Sequence, residues 1–342
     1  MNLLNTMNAY KNHNTIRLEV KSIAAAKQYV PLIREITNIL PKNIIELTGS
    51  SFHSNLLLKE LEFNNINANI TYKENKHSRH NNTLPITLHY DNSPINGVQK
   101  LTFHIDPLKF EKRRLLTIDE ILELKEQYKI RNKEKIIFAG ATHFSEYGII
   151  CPAIKNYLLK NKNSKAVIVP YTEGHLDDIA RYLEFETNYS LKGNKKCLVI
   201  EEQGTLDKLY SLADIVLLGN TFKINAYDGQ NPLEPAFYGK PMLSGIDYHE
   251  WNKDAYDGLL KSGLLRRINS YNLEAELEKN IPKKEIEKSR IKAEAFIKSR
   301  RGAAKIYANI IKKFINNNLS NKEKEYLSEK RTFSELKKLY HG

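Results

Sequence analysis

Short apolar runs alternate with segments of helical periodicity in the second half of the chain, and this alternation constrains the fold most strongly. The runs cover residues 136–139, 166–169, 197–200, 215–218 and 241–243. Between them, apolar residues recur at helical spacing over residues 152–160, 175–184, 206–213 and 232–238. Runs this short, each followed by a helix, are typical of buried parallel strands whose connections cover both faces of the sheet. The pattern predicts a Rossmann-like parallel sheet.

The first part of the chain shows a shorter version of the same alternation. Residues 16–72 predict strand, helix, strand, helix and strand, residues 73–100 predict a polar loop, and residues 101–105 predict one more strand. We therefore expect an α/β protein with two Rossmann-like domains that face a cleft. The expected domains are residues 1–125, residues 126–282, and a C-terminal segment, residues 283–342. That segment should hold a long basic helix, broken at most at Arg301-Gly302, and a charged tail that forms a loose helix.

The composition excludes several classes of protein. The chain is 41% hydrophobic and 27% charged, so it can bury a core and is neither disordered nor fibrous. No apolar run approaches the length of a transmembrane helix, and the polar N-terminal residues do not resemble a secretory signal. Cys151 and Cys197 lie far apart without metal-ligand spacing. A reducing cytoplasm is expected, with no metal and no cofactor.

Positive charge is concentrated at the C-terminal end. The net charge is +13, and residues 283–342 carry 17 Lys and Arg against 7 Asp and Glu, a difference of +10. Such a segment can bind nucleic acid, an anionic membrane surface or a phosphorylated substrate. It can equally be a solvated helix face with no partner. A nucleic-acid partner is disfavoured because the sequence shows no nucleic-acid-binding motif.

Candidate binding residues follow the predicted strands. In an open parallel sheet, ligands bind beyond the carboxyl ends of the strands. These ends carry Gly140-Ala141-Thr142-His143, Gly204 and Gly219-Asn220-Thr221. His143 and His175 each follow a strand end, where a histidine is more often hydrogen-bonded scaffold than a catalytic group.

The segment from Gly229 to Pro235 is the most informative. Glycine and amide residues precede Pro232, which suits the first turn of a helix, where free N–H groups can hold a phosphate. Glu234 falls in that turn, and its carboxylate can accept hydrogen bonds from the vicinal hydroxyls of a ribose. An ordinary capped helix, with Glu234 favoured by the helix dipole, is the alternative.

Taken together, these segments resemble the C-terminal domain of 3-deoxy-D-manno-octulosonic acid (Kdo) transferases, over about residues 136–265. The family's Gly-Ser-Thr-His stretch is similar to Gly140-Ala141-Thr142-His143, with Glu146 following. Its Leu-Tyr-Ala-Leu-Ala-Asp helix, preceded by a glycine, resembles residues 209–214 after Gly204. Its Gly-Gly-Ser turn resembles Gly219-Asn220-Thr221, and its Gly-x-Pro resembles residues 239–241. Its Gly-His-Asn-Pro-Leu-Glu-Pro signature matches residues 229–235 at six of seven positions.

The resemblance implies a glycosyltransferase of the GT-B type that uses a nucleotide-sugar donor, with CMP-Kdo favoured. It implies a lipid A-type or other surface carbohydrate acceptor, and hence a role in lipopolysaccharide biosynthesis. The basic C-terminal helix would then contact anionic lipid at the inner face of the cytoplasmic membrane. The residues expected to bind the donor are Gly140, Thr142, His143, Gly204, Gly219, Asn220, Thr221, Gly229, Asn231 and Glu234.

Several positions depart from the family. Its Pro-Arg-His reads Pro170-Tyr171-Thr172 here, its Gly-Glu reads Gly204-Thr205, and its Gly-Pro-His reads Gly245-Ile246-Asp247. In the first domain, Ser22-Ile23-Ala24-Ala25 resembles the family's Ser-Val-Gly-Glu motif, and this alignment places Ala25 where the family carries its catalytic base. We find no counterpart in this sequence of the family's Glu-Thr-Glu-Leu-Trp-Pro segment or of its usual N-terminal membrane anchor. The first domain is also shorter than that of the family.

The catalytic base is therefore unknown. His53 and Glu46, expected near strand ends of the first domain, are candidates without motif support. Three hypotheses follow: a GT-B glycosyltransferase, a catalytically inactive nucleotide-sugar-binding homologue, and another nucleotide-sugar enzyme such as an epimerase.

Overall fold

The structure is a computed structural model, and it forms two compact units. It describes residues 15–20, 23–68, 70–74, 85–91, 98–104, 106–183, 188–189, 196–222, 230–248, 252–316, 318–328 and 333–341. The first unit is Met1–Arg114 with Arg300–Gly342, and the second unit is Leu115–Ser299. The chain therefore enters the second unit once, and it returns to the first unit near Arg300.

The first unit contains a five-stranded mixed sheet in the order β3-β2-β1-β4-β5. Its strands are β1 (Thr15–Val20), β2 (Ile44–Gly49), β3 (Ile70–Glu74), β4 (Pro85–Asp91) and β5 (Val98–His104). The first three strands are parallel, whereas β4 is antiparallel to both β1 and β5. Helices α1 (Ile23–Ile39) and α2 (Ser51–Phe63) connect the parallel strands, as the sequence predicted.

The loop prediction for residues 73–100 is wrong, because this stretch contains β4 and the start of β5. Ile86, Leu88 and Tyr90 alternate with polar residues, which is the pattern of a half-covered strand. Polar turn-forming residues on both sides hid this alternation in the sequence. β4 pairs with the next strand in the sequence, β5, and with β1, which lies far earlier in the sequence, so its place in the sheet depends on a distant partner.

The last helices belong to two different units. Helix α10 (Lys283–Arg300) lies in the second unit, and α11 (Ala303–Ile315) packs against α1 in the core of the first unit. Gly302, at φ 116°, separates the two helices in a backbone conformation that disfavours other residues, so the break is where the sequence predicted it. The buried Glu111 carboxylate accepts hydrogen bonds from the N–H groups of Gly302 and Ala304, at 2.8 and 3.1 Å. Residues 283–342 thus do not form one separate segment.

The tail beyond α11 contains two helices, α12 (Asn321–Ser328) and α13 (Phe333–His341). Glu323 holds them together: its carboxylate accepts hydrogen bonds from Lys313 Nζ and Ser320 Oγ, both at 2.8 Å, and from the Tyr340 hydroxyl. Burial of Glu323 raises the pKa of its carboxyl, but these hydrogen bonds outweigh burial and lower the pKa to about 2. The tail is therefore docked onto α11 rather than loosely attached.

The second unit contains a seven-stranded sheet in the order β12-β11-β10-β6-β7-β9-β8, and the described pairs are all parallel. Its strands are β6 (Lys135–Thr142), β7 (Ser164–Pro170), β8 (Asn188–Tyr189), β9 (Cys197–Val199), β10 (Ile215–Leu218), β11 (Met242–Ser244) and β12 (Leu265–Arg267). Strands β6, β7 and β10 are buried along nearly their whole length, which explains their continuous apolar runs. The predicted α/β class is confirmed.

In addition to α10, the second unit contains helices that precede, connect or follow these strands. They are α3 (Ile118–Gln127), α4 (Tyr147–Lys160), α5 (Leu176–Leu183), α6 (Leu206–Leu209), α7 (Leu233–Phe237), α8 (Lys253–Ser262) and α9 (Leu273–Glu278). Among the described residues, none of the helices combines the length and the apolar composition needed to cross a bilayer.

Candidate functional site

The site is built at the point where the strand order of the second sheet changes direction. From β6 the chain moves to β7 and β9 on one side, and then returns to β10 and β11 on the other side. The strand order therefore reverses between β6 and β10, and doubly wound proteins bind ligands in a crevice at the carboxyl ends of the strands at such a point. The structure brings two predicted segments together there, Gly140-Ala141-Thr142-His143 and Gly219-Asn220-Thr221.

The two loops approach so closely that glycine is required. The N–H of Gly219 donates to the carbonyl of Gly140 at 2.9 Å. A Cβ atom on Gly219 would collide with the backbone carbonyl of Ala141, and one on Gly140 would collide with the Tyr210 ring. Ala141 and Asn220 both adopt positive φ values, 53° and 58°, which are uncommon for residues with a side chain. Both strands thus end in constrained, left-handed turns that meet each other.

A buried carboxylate joins the loops. Glu146 is fully buried, and it accepts hydrogen bonds from the N–H groups of His143 (3.0 Å), Asn220 (2.7 Å), Thr221 (2.8 Å) and Phe222 (2.8 Å). Burial raises the pKa of the Glu146 carboxyl, while the four backbone N–H groups act in the opposite direction. Glu146 is therefore a structural clamp. The sequence pattern His-x-x-Glu after a strand is a capping-box signal that could have identified this role.

The side chains of Thr221 and Asn220, beside the clamp, hydrogen-bond to backbone groups of neighbouring loops. Thr221 Oγ1 donates to the carbonyl of Leu218 at 2.6 Å and accepts the N–H of Gly245 at 2.8 Å. Asn220 Nδ2 lies 3.4 Å from the carbonyl of Ala141. Thr142 is buried, and its carbonyl accepts the N–H of Tyr171 at 2.9 Å. In this arrangement, Thr142, Asn220 and Thr221 shape the crevice, and ligand contact by these residues stays a prediction.

The Gln-Asn-Pro-Leu-Glu segment is attached to the same place. The N–H of Gln230 lies 3.4 Å from the carbonyl of Gly219, and the Tyr256 hydroxyl donates to the carbonyl of Gln230 at 3.3 Å. Asn231 Oδ1 accepts the N–H of Leu233 at 3.1 Å and so begins α7, in which Glu234 is half-buried. Gly229 lies outside the described residues, and Gly204 follows β9, two strands away from β6.

The two histidines have local hydrogen-bond partners. His143 Nδ1 lies 2.9 Å from Ser145 Oγ and caps the short 3-10 turn that follows β6. His175 Nε2 lies 2.8 Å from Thr172 Oγ1, and the backbone N–H of His175 donates to Glu201 Oε1 at 2.7 Å. Both histidines lie close to the exposed ring of Phe144, a residue that the sequence analysis did not select.

The carboxyl edge is acidic although the chain is strongly basic. The described loops after β6, β7, β9, β10 and β11 contain no lysine or arginine. They carry the carboxylates Glu146, Glu173, Glu201, Glu202 and Asp247, and Glu234 lies in α7 at the same edge. Arg267, at the end of β12, lies over the Tyr248 ring at 4.9 Å. No group of three His, Cys, Asp or Glu residues in the described ranges is arranged to hold a metal ion.

We predict that Glu146→Gln destabilises the protein by about 2–4 kcal/mol. An amide offers one acceptor oxygen in place of two, so N–H groups of one loop would face an NH2 donor. The free energy of unfolding from denaturant titration measures the loss. Glu285→Gln, which removes an exposed carboxylate on α10, is the control and should change stability by less than about 0.5 kcal/mol. Equal stability of wild-type protein and Glu146→Gln would contradict the clamp.

Comparison with known proteins gives partial matches, and no protein-family model matches the chain. A bifunctional glycosyltransferase/methyltransferase of Fusobacterium nucleatum is 33% identical over 140 residues, 36% of this chain and 20% of that protein. A 3-deoxy-D-manno-octulosonic acid transferase of Haemophilus influenzae is 27% identical over 144 residues, 39% of this chain and 33% of that protein. The matched region thus spans between a fifth and a third of the length of these relatives.

A solved glycosyltransferase from Rickettsia africae ESF-5 shares the fold over nearly the whole chain. Its TM-score is 0.51 at 12% identity, and the alignment covers 90% of this chain and all of that one. The chain has the α/β fold of GT-B glycosyltransferases, and over a little more than a third of its length it is similar in sequence to the Kdo transferases.

Proposed function

We propose that the protein is a GT-B glycosyltransferase that moves a sugar from a CMP-sugar, such as CMP-Kdo, to a lipid A-type or other surface carbohydrate acceptor. The observation that carries this proposal is the placement of the Gln-Asn-Pro-Leu-Glu segment, residues 230–234. It is bonded to the loop after β10 through Gly219, at the crevice where doubly wound sheets bind ligands.

The donor nucleotide would bind mainly through backbone groups and one carboxylate. Glu234 lies beside the crevice in the first turn of α7, and it would accept hydrogen bonds from both ribose hydroxyls. The phosphate would bind to N–H groups in the first turn of α7, because those of His143, Asn220, Thr221 and Phe222 already donate to the Glu146 carboxylate. The same N–H groups would stabilise the negative charge that develops on the leaving phosphate.

The charge of the edge supports a nucleoside monophosphate over a nucleoside diphosphate. The described loops supply carboxylates and no lysine or arginine, so these loops offer two adjacent phosphates no cationic partner, whereas Lys223, in the loop after β10, lies outside the described residues. A single phosphate is within the capacity of backbone N–H groups alone. The family's Pro-Arg-His reads Pro170-Tyr171-Thr172 here, so one cationic donor contact of the family is missing.

Calorimetric titration with CMP, UDP and GDP tests this assignment. We expect CMP to bind wild-type protein and Glu234→Ala to weaken binding about 10-fold or more, because each hydrogen bond between the carboxylate and a ribose hydroxyl contributes about 1.5–3 kcal/mol. Glu173→Ala, which removes another carboxylate from the same edge, is the matched control and should bind CMP normally. Preferential binding of UDP or GDP would rule out the CMP-type donor, and wild-type protein that binds no nucleotide would defeat the proposal.

Transfer to the acceptor would require a general base in the first unit. The two candidates, Glu46 and His53, differ in where they lie relative to the end of β2. Glu46 lies in the interior of β2, paired with Arg17 and Thr71, so the expectation that it lies near a strand end is wrong. His53 lies in the first turn of α2, directly beyond the carboxyl end of β2, and its N–H donates to Ser50 Oγ at 3.3 Å. We therefore propose His53 as the general base that removes the acceptor proton.

We predict that His53→Ala lowers sugar transfer from CMP-Kdo to a lipid A precursor by about 100-fold or more, with CMP affinity unchanged. Phe52→Ala removes the exposed neighbouring ring and is the matched control for local packing. Full transfer by His53→Ala would exclude this base. Wild-type protein that binds CMP but transfers no sugar would favour the inactive binding homologue instead.

Helix α10 offers a basic surface for the proposed membrane contact. Lys284, Lys288, Lys292 and Lys298 are exposed on its outward side around Ile291, whose side chain is 59% exposed. Ala293 and Ile297 lie on the buried side. Lysine side chains around an exposed apolar residue suit a surface of anionic lipid.

We predict that changing these four lysines to glutamine lowers binding to phosphatidylglycerol vesicles by at least 10-fold, since each lysine near such a surface contributes about 1 kcal/mol. Co-sedimentation measures the bound fraction. The control variant changes the exposed Lys133, Lys162, Lys253 and Lys261 to glutamine, and thus has the same net charge. Equal loss in both variants would show attraction by net charge alone and would contradict a specific contact of α10.

A further inference from the structure

An exposed aromatic ring stands at the carboxyl edge of the second sheet, outside the set of residues proposed for the donor's ribose and phosphate. Phe144 is 57% exposed, in the first turn after β6. Its ring lies 4.2 Å from the His143 ring, and it is nearly parallel to the His175 ring, with an interplanar angle of 15° and a centroid separation of 6.4 Å. Tyr147 meets the same His175 ring edge-on at 5.8 Å. The three rings of His143, Phe144 and His175 form a cluster that we call the ring platform.

The ring platform is held from both sides. Phe144 follows His143 and precedes Ser145 and the clamp residue Glu146, so its backbone is fixed by the hydrogen bond from the N–H of His143 to Glu146. The backbone N–H of His175 donates to Glu201, and the His175 ring lies within hydrogen-bond distance of Thr172 through Nε2. A backbone that is fixed before the ligand arrives adds no ordering cost on binding.

The position of the ring platform matches one end of a bound nucleotide. The platform spans the ends of β6 and β7, whereas the segment with Glu234 is attached beside β10. Since neighbouring strands lie about 4.8 Å apart, β7 and β10 are about 10 Å apart on opposite sides of β6. A mononucleotide whose ribose and phosphate lie beside β6 and β10 would therefore direct its base toward β7.

We propose that the ring platform binds the base of the donor nucleotide by stacking, with Phe144 as the main contact. This inference rests on the proposed function and adds a residue that contributes to donor affinity. An aromatic ring stacks on the face of any base, so Phe144 supplies affinity without choosing the base. Because the edge lacks lysine and arginine in its described loops, stacking is a source of affinity that does not depend on charge.

The test is the dissociation constant of CMP for wild-type protein and for Phe144→Ala, Phe144→Leu and Phe144→Trp, measured by calorimetry. We expect Phe144→Ala to bind CMP about 5- to 150-fold more weakly. Phe144→Trp should keep the wild-type affinity because it keeps a stacking ring. Phe144→Leu should lose nearly as much affinity as Phe144→Ala, because leucine restores apolar bulk but no ring. Thermal melts of each variant show whether the fold is preserved.

Leu159→Ala is the matched control. Leu159 is 58% exposed near the C-terminal end of α4, whereas Phe144 precedes the N-terminal end of that helix. Replacement of Leu159 by alanine should leave CMP affinity unchanged. Affinity of Phe144→Ala within twofold of wild-type protein would overturn the ring platform while leaving the proposed function intact. Full affinity of Phe144→Leu would overturn stacking in favour of simple apolar contact. Wild-type protein that binds no CMP would defeat the proposed function and this inference together.

Discussion

The geometry of the candidate site depends on one buried carboxylate. Glu146 collects the N–H groups of His143, Asn220, Thr221 and Phe222, and thereby ties the loop after β6 to the loop after β10. Removing a carboxylate from water is costly, and burial does raise the pKa of this group. Four N–H groups aimed at its two oxygens offset that cost, since each would otherwise be buried without an acceptor. The clamp also explains how Ala141 and Asn220 are kept in left-handed turns.

Charge is distributed unevenly over the second unit, and this distribution links its two proposed interactions. The described loops at the carboxyl edge carry carboxylates without lysine or arginine, whereas α10 carries exposed lysines. An acidic edge repels a donor with one phosphate less than a donor with two, and such a donor would be bound by backbone N–H groups, a ribose-binding carboxylate and aromatic stacking. A basic helix suits an anionic lipid surface. The same chain can therefore combine a high net positive charge with a binding site that lacks cationic side chains in its described loops.

The sequence predicted most elements of the second unit, because its strands are buried on both faces and appear as continuous apolar runs. Prediction failed for β4, whose alternating pattern is short and lies between polar segments. Prediction also failed to assign α10 and α11 to different units. Both helices are basic, and only the contacts of α11 with α1 show that α11 belongs to the core of the first unit. The position of Glu46 within β2 likewise depended on the exact strand bounds.

What the sequence determined by itself is local: the alternation of strands and helices, the break at Gly302, and the motif residues that resemble Kdo transferases. The tertiary structure decided which strand ends meet. Glu146 and Phe222 are 76 residues apart, and their contact exists because β6 and β10 are neighbours in the sheet. Local periodicity specifies that a strand forms, but its neighbours are selected by packing and hydrogen bonding across the whole unit. The clamp, the crevice and the ring platform all arise from that selection.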